Sequence, residues 1–221
     1  MTQESRIPLS RTNLNAKVAT HIREEIFAGR MRPGSRLDQD GLAARLGVSK
    51  IPVREAIIAL EVEGLVVSYP HRGAFVAQVT PDDVRDHFAI FGAVSSMAAA
   101  RAATELGPDE VAALADVLDR MQAPGAPLDH LNDELHRRIN RAGSRRLRSV
   151  IGLLATAMPT RFFETTDPSA GDIAHDEHAA IVEAIRDGDA EMAAEVTRRH
   201  FERSGAVAVQ SLKERGFWTS G

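Results

Sequence analysis

The clearest structural signal in the chain lies in residues 42–66, which read LAARLGVSKIPVREAIIALEVEGLV. Two stretches with apolar residues at helical spacing are separated by Gly47-Val48, which predicts a tight turn between two short helices. Ser49 is a residue type that caps a helix, and Gly64 follows the second stretch where a left-handed cap would end it. The pattern therefore predicts a helix-turn-helix unit.

The residues on both sides of this unit predict a winged form of the motif. Apolar residues at helical spacing indicate a helix from Thr12 to Phe27 on its N-terminal side. On its C-terminal side, the β-rich runs 65–69 and 74–79 are joined by the turn residues Pro70-His71-Arg72-Gly73. Helix, short helix, turn, helix and hairpin is the order of a winged helix-turn-helix.

After residue 80 the sequence pattern indicates helices alone. Thr80 as a cap and Pro81 at the first helical position open a long helix that we expect to reach Leu106. Glycine and proline residues then separate five more predicted helices, at about 108–122, 128–142, 145–164, 172–186 and 189–215. Residues 165–171 are predicted as a loop. The sequence thus predicts a mainly α protein, in which a winged helix-turn-helix precedes an all-α six-helix bundle.

The predicted elements divide the chain into four parts. We expect a flexible arm (1–11), a DNA-binding domain (12–79), a helical effector-binding and dimerisation domain (80–215) and a tail (216–221). The formal net charge of −4 is unevenly distributed: the first 80 residues carry 11 Lys and Arg against 8 Asp and Glu, whereas the remainder carries 16 against 23. A basic N-terminal part on an acidic body favours a polyanionic partner for that part.

Composition excludes several classes of protein and site. The chain has no cysteine, which excludes disulfide scaffolds, thiolate zinc sites and cysteine nucleophiles. No apolar stretch approaches the roughly 18 residues that a membrane helix needs, and the N-terminus lacks the apolar core of a signal peptide. We therefore expect a cytoplasmic protein with no membrane partner.

The start of the second short helix and the tip of the hairpin carry residues suited to DNA. Lys50 and Arg54 can reach phosphates and base edges in a major groove, and Arg72 can lie along a minor groove. Taken alone, such cations are as readily explained as solvated surface, but the wing, the turn and the charge distribution together favour DNA. The predicted DNA-contacting residues are Arg45, Ser49, Lys50, Ile51, Pro52, Arg54, His71, Arg72 and Gly73.

Residues 12–79 resemble the DNA-binding domain of the GntR family of bacterial transcription regulators. The resemblance is most specific at Pro52-Val53-Arg54-Glu55-Ala56 and continues through Glu63-Gly64-Leu65-Val66. The family commonly has Arg-Thr before the proline, where this chain has Lys50-Ile51; lysine lacks the bidentate fork that arginine offers guanine. The resemblance implies a homodimer that reads a near-palindromic operator in double-stranded DNA.

Histidines are the chemically notable residues of the predicted helical domain. Asn132 and His136 stand four residues apart on one face of a helix, and His178 and His200 lie on two later helices. Imidazole and amide groups from three helices can hold a divalent ion. Hydrogen-bonded core histidines are the other interpretation, and the residues alone do not decide between the two.

The same residues resemble the FCD effector domain of the FadR subfamily, and the six-helix count is similar to that of its VanR-like branch. The resemblance implies metal ligands at Asn132, His136, His178 and His200, with zinc, nickel or manganese as the ion. Asn132 stands where aspartate is usual. Phe91 and Ser95 stand where relatives usually carry an arginine and a glutamate, so we expect these two residues in the effector pocket.

The sequence therefore predicts a ligand-responsive, sequence-specific transcription regulator, and specifically a repressor. Four neutral ligands leave a divalent metal its full charge, so we expect the helical domain to bind a small organic acid at or near the metal. A metal-sensing regulator is the first alternative. A metal-dependent hydrolase or lyase with three histidine ligands is the second, but it leaves the winged helix unexplained and no enzyme is expected.

Overall fold

A computed structural model of the protein describes residues 14–158 and 168–218. Within those residues it contains nine helices and one two-stranded sheet. The chain forms two compact units, with the division between Val79 and Thr80. None of the helices in these ranges is both long and apolar enough to span a bilayer. The predicted N-terminal arm (1–11) lies outside the described residues.

The first unit is a helix-turn-helix with a hairpin. Its elements are α1 (Leu14–Phe27), α2 (Gln39–Leu46), α3 (Lys50–Val62), β1 (Val66–Tyr69) and β2 (Gly73–Val76). Asp38 caps α2 by accepting a hydrogen bond from the Gly41 N–H, and Gly47 has the left-handed φ of 65° that turns the chain into α3. The strands pair antiparallel from Val66 opposite Val76 to Tyr69 opposite Gly73, so β2 ends three residues before the predicted end.

A buried ion pair joins the first and last helices of this unit. The Arg23 guanidinium on α1 donates from Nε and Nη2 to the carboxylate of Glu63, the residue that caps α3, at 2.7–3.0 Å. Both side chains are largely buried, beside a core that includes Ile22, Val53 and Leu60. This contact fixes α3 relative to α1, and therefore the orientation of the surface that α3 exposes.

The second unit is all-helical in the described residues. Its helices are α4 (Pro81–Glu105), α5 (Pro108–Met121), α6 (Leu128–Asn140), α7 (Arg145–Ala157), α8 (Pro168–Arg186) and α9 (Ala190–Glu214). Thr80 and Asp83 form a reciprocal capping box at the start of α4, where Pro81 needs no N–H partner. Helices α4 and α9 pack closely because glycine stands at two contacts: a Cβ on Gly92 or Gly205 would approach a phenylalanine Cβ to 2.9 Å.

Two predicted boundaries of this unit were wrong. Helix α7 ends at Ala157 instead of residue 164, because Met158 precedes a proline and adopts extended angles. Helix α8 begins at Pro168, inside the predicted loop, since proline fits the first helical position. In the predicted tail, Phe217 is buried and its N–H donates to the Leu212 carbonyl at 3.0 Å.

Candidate functional site

Three of the four predicted metal ligands lie together inside the second unit. His136 of α6, His178 of α8 and His200 of α9 place their ring nitrogens within 4.8 Å of one another. The Nε2 atoms of His136 and His178 are 3.3 Å apart. Two nitrogens that each lie about 2.0–2.1 Å from one tetrahedral zinc are separated by about 3.3 Å. The three imidazoles therefore fit a divalent ion.

Burial keeps two of these imidazoles uncharged. Desolvation, with a smaller contribution from the neighbouring His200, lowers the pKa of His136 to about 3. The pKa of His178 is also well below its usual value, mainly because its ring is buried. Both rings are thus neutral at pH 7, which is the form that coordinates a metal.

Glu177 orients the third imidazole. Its carboxylate accepts a hydrogen bond from His200 Nδ1 at 2.8 Å and is held in turn by the Arg203 guanidinium. Burial alone would raise the pKa of Glu177, but these two partners outweigh burial and lower it. A proton on Nδ1 leaves Nε2 of His200 as the free ligand atom, as second-shell carboxylates do in metal sites.

Sequence analysis missed both of these supporting residues. Glu177 immediately precedes His178, and Arg203 follows His200 by one helical turn. Their spacing gives a weak signal, because an acid beside one histidine and a base near another are common on helices. Their pairing depends on the packing of α8 against α9, which is a tertiary contact.

The histidine cluster lines a cavity of about 1240 Å³. Asn132, the fourth predicted ligand, lines the same cavity one turn before His136. Phe91 also lines it, with its ring 4.4 Å from that of Phe201. Ser95, the other predicted pocket residue, is not among the residues that line the cavity: it is 1% exposed and belongs to the inward stripe of α4 that includes Gly92 and Ala99.

The first unit exposes most of the residues predicted to contact DNA. The exposed side chains among them are Arg45, Ser49, Lys50, Ile51, Arg54, His71 and Arg72. Pro52 was wrongly assigned to this surface, because it is buried with Val53 and Ala56 on the inward face of α3. Lys50 is held by the Asp40 carboxylate at 2.8 Å in an exposed ion pair.

The start of α3 retains unused hydrogen-bonding capacity. Ser49 is the N-cap residue, as expected, but its hydroxyl makes no capping hydrogen bond. The first amide groups of a helix carry a partial positive charge and bind phosphates well. With Lys50 and Arg54 exposed beside it, this helix start is suited to a DNA backbone.

The hairpin presents a second basic surface. His71 has a left-handed φ of 61°, and Arg72 lies over the Tyr69 ring at 5.7 Å. Gly73 has a φ of 93°, which favours glycine at the tip, and a Cβ there would also lie 3.2 Å from Arg36 Nε. The backbone of Arg36 forms a β-bridge with Phe75 of the hairpin, and its exposed side chain adds a cation to this surface. This cation was not predicted from the sequence.

Comparisons with known families agree with both halves of this architecture. Residues 14–76 match the model of the gntR family of bacterial regulatory proteins. Residues 86–203, more than half of the chain, match the FCD domain. The chain belongs to the GntR family of regulators with an FCD domain. It is a transcriptional regulator with a DNA-binding helix-turn-helix, as the sequence predicted.

Relatives of this GntR protein are regulators as well. The HTH-type transcriptional repressor RspR of Escherichia coli (strain K12) is 25% identical over 214 residues, 94% of each chain. An uncharacterized HTH-type transcriptional regulator of Mycobacterium tuberculosis (strain ATCC 25618 / H37Rv) is 36% identical over 92 residues, which are 42% of this chain and only 38% of that relative. The prediction of a regulator instead of an enzyme is confirmed by these relatives.

A solved structure shares the fold. E. coli McbR/YncC matches with a TM-score of 0.67 and 22% identity, over 90% of this chain and 98% of that one. At this identity the match concerns the fold alone. It agrees with the predicted architecture of a winged helix-turn-helix followed by a helical bundle.

Proposed function

We propose that this GntR protein is an effector-responsive repressor whose FCD domain binds a small organic acid at a divalent metal. One observation carries the proposal: three clustered histidines, two of them buried and one oriented by Glu177, line a large cavity. His136, His178 and His200 would hold the metal, with Asn132 as a fourth ligand. The bound ion would supply a positive charge for an anionic effector.

The donor set supports an anionic ligand. Imidazole and amide groups that coordinate a metal carry no negative charge, so these four ligands leave the charge of the metal uncompensated. The charged residues that line the cavity do not offset the ion: Arg203 is paired with Glu177, and three arginines (Arg137, Arg141 and Arg148) stand against three aspartates (Asp129, Asp133 and Asp176). An acid that reaches the histidines therefore meets a positive site.

The DNA-binding function rests on the exposed start of α3 and on the hairpin. We propose that Arg54 reads base edges in the major groove, while Arg72 and Arg36 contact the backbone or the minor groove. A homodimer would place two such surfaces on the half-sites of a near-palindromic operator. The name of RspR as a repressor supports the same sign of regulation here.

Regulation would follow from differential binding. An effector that binds more tightly to the state with low DNA affinity shifts the population toward that state, and release from DNA is the consequence. The metal sensor remains the second candidate, since in that case the ion itself would shift the population.

Titration separates these functions. Protein with and without metal is first tested for binding to an operator selected from random duplex DNA, and then titrated with a panel of short organic acids. We expect acids to bind only the metal-loaded form and to release the DNA. Equal binding of acids to both forms would contradict the metal-dependent site, and release of DNA by metal alone would favour the sensor.

A further inference from the structure

His87 of α4 is a half-buried residue with one ring nitrogen that neither the metal cluster nor the fold uses. Its Nε2 atom is buried and has no hydrogen-bond partner among residues 14–158 and 168–218. The side chain lines the same cavity as the three histidines. Burial lowers its pKa to about 4, and the Leu154 backbone only partly opposes that shift, so the ring is neutral at pH 7.

A continuous aromatic wall connects His87 to the metal cluster. The His87 ring lies 6.2 Å from Phe91, and Phe91 lies 4.4 Å from Phe201. Phe201 in turn lies 5.2 Å from His136 and 5.3 Å from His200. One wall of the cavity is thus apolar along its length and carries a hydrogen-bonding group at each end.

We propose that His87 is a specificity-determining residue that hydrogen-bonds the far end of the effector. This inference rests on the proposed function, and it narrows the effector to an organic acid with an apolar body and an uncharged polar group, such as a hydroxyl, at the end opposite its carboxylate. The carboxylate lies at the histidine cluster and the body packs on Phe91 and Phe201.

The chemistry of the site favours a hydroxyl at the far end. A neutral imidazole nitrogen either donates or accepts one hydrogen bond, and a hydroxyl satisfies both possibilities. A second carboxylate would place a charge against the apolar rings of Phe88 and Phe91, and the burial of a charge is costly. A plain alkyl end would leave Nε2 without a partner.

Matched pairs of straight-chain acids test the inference. Isothermal titration calorimetry is performed on protein supplemented with zinc, using acids of four to ten carbons with and without a terminal hydroxyl. At the length that spans the wall, we expect the hydroxylated acid to bind about tenfold more tightly than the plain acid, the effect of one buried hydrogen bond. The variant His87→Phe should bind both acids alike, and His87→Gln should retain part of the preference.

The outcomes distinguish this inference from the proposed function. Absence of any binding by either series overturns both. Binding without a preference for the hydroxyl at any length, or an unchanged preference in His87→Phe, overturns the role of His87 alone. In the wild-type protein, a shift of the His87 ring nitrogen resonance that occurs with the hydroxylated acid but not with the plain acid supports the inference. Equal shifts with both acids overturn it.

Discussion

The DNA-binding surface and the histidine cavity use opposite physical strategies. At the start of α3, Lys50 and Arg54 are exposed and charged, so they would attract a polyanion through long-range and salt-dependent forces. In the cavity, desolvation lowers the pKa of His136 and of His178 and keeps both rings neutral. The modest net charge of the chain therefore indicates little about either site. The cations at the start of α3 are charged and exposed, whereas the imidazoles of His136 and His178 are uncharged.

The largest expected effect concerns the exposed surface. Arg54→Ala should weaken operator binding about 100-fold, because a bidentate contact to a base edge is lost. Fluorescence anisotropy with labelled operator measures the change. Arg101→Ala, an exposed arginine of α4, is the matched control and should bind normally. Retained affinity in Arg54→Ala would mean that α3 does not read the operator.

A second test measures how the pKa of His87, in the cavity, makes the stability of the protein depend on pH. His87 has a folded pKa of about 4 against an ordinary value of about 6.5, so the unfolded state binds a proton first as pH falls. The neutral His87 ring therefore favours folding above pH 6.5, and the free energy of unfolding falls by up to about 3 kcal/mol between pH 6.5 and 4. Urea unfolding of wild type and His87→Gln across this range measures it, and identical pH profiles would contradict the shift.

A third test asks whether metal binding by the histidine cluster depends on the Glu177 carboxylate. Glu177→Gln should reduce zinc affinity about tenfold, since second-shell partners orient and polarise their imidazole. Competition with a chromophoric chelator gives the affinity. Glu183→Gln alters an exposed acid on the same helix and serves as control. Unchanged affinity in Glu177→Gln would show that His200 is positioned without it.

The smallest effect is expected at the hairpin. Arg72→Ala should weaken binding a few-fold on all DNA sequences and reduce the slope of log affinity against log salt by about one. Binding isotherms at several salt concentrations measure that slope. A loss confined to one base position would indicate direct base readout by the hairpin.

Local signals explain why much of the fold was predictable. Thr80 and Pro81 start α4 where expected, and Gly47 turns the chain between α2 and α3, because caps and left-handed glycines act within a few residues. The wrongly predicted helix boundaries also have local causes. The extended Met158 before a proline, for example, ends α7 early.

The candidate site was predictable only in part. The histidines were found because their helical spacing resembles a family pattern, and the structure brings three of them together. Pro52 was misassigned, because it packs inward with Val53 although its neighbours Lys50 and Arg54 are exposed. Glu177 and His87 were missed because their roles depend on contacts between helices that are distant in sequence.

The central claim is that the histidine cluster is a metal site of the effector cavity. The most direct measurement is metal content by mass spectrometry, on protein purified without chelator or affinity tag, for wild type and His136→Ala. We predict about one divalent metal per chain in wild type and almost none in the variant, with His130→Ala, an α6 histidine outside the cluster, unchanged. Wild-type protein that contains no metal and takes up no zinc, nickel or manganese would contradict the account.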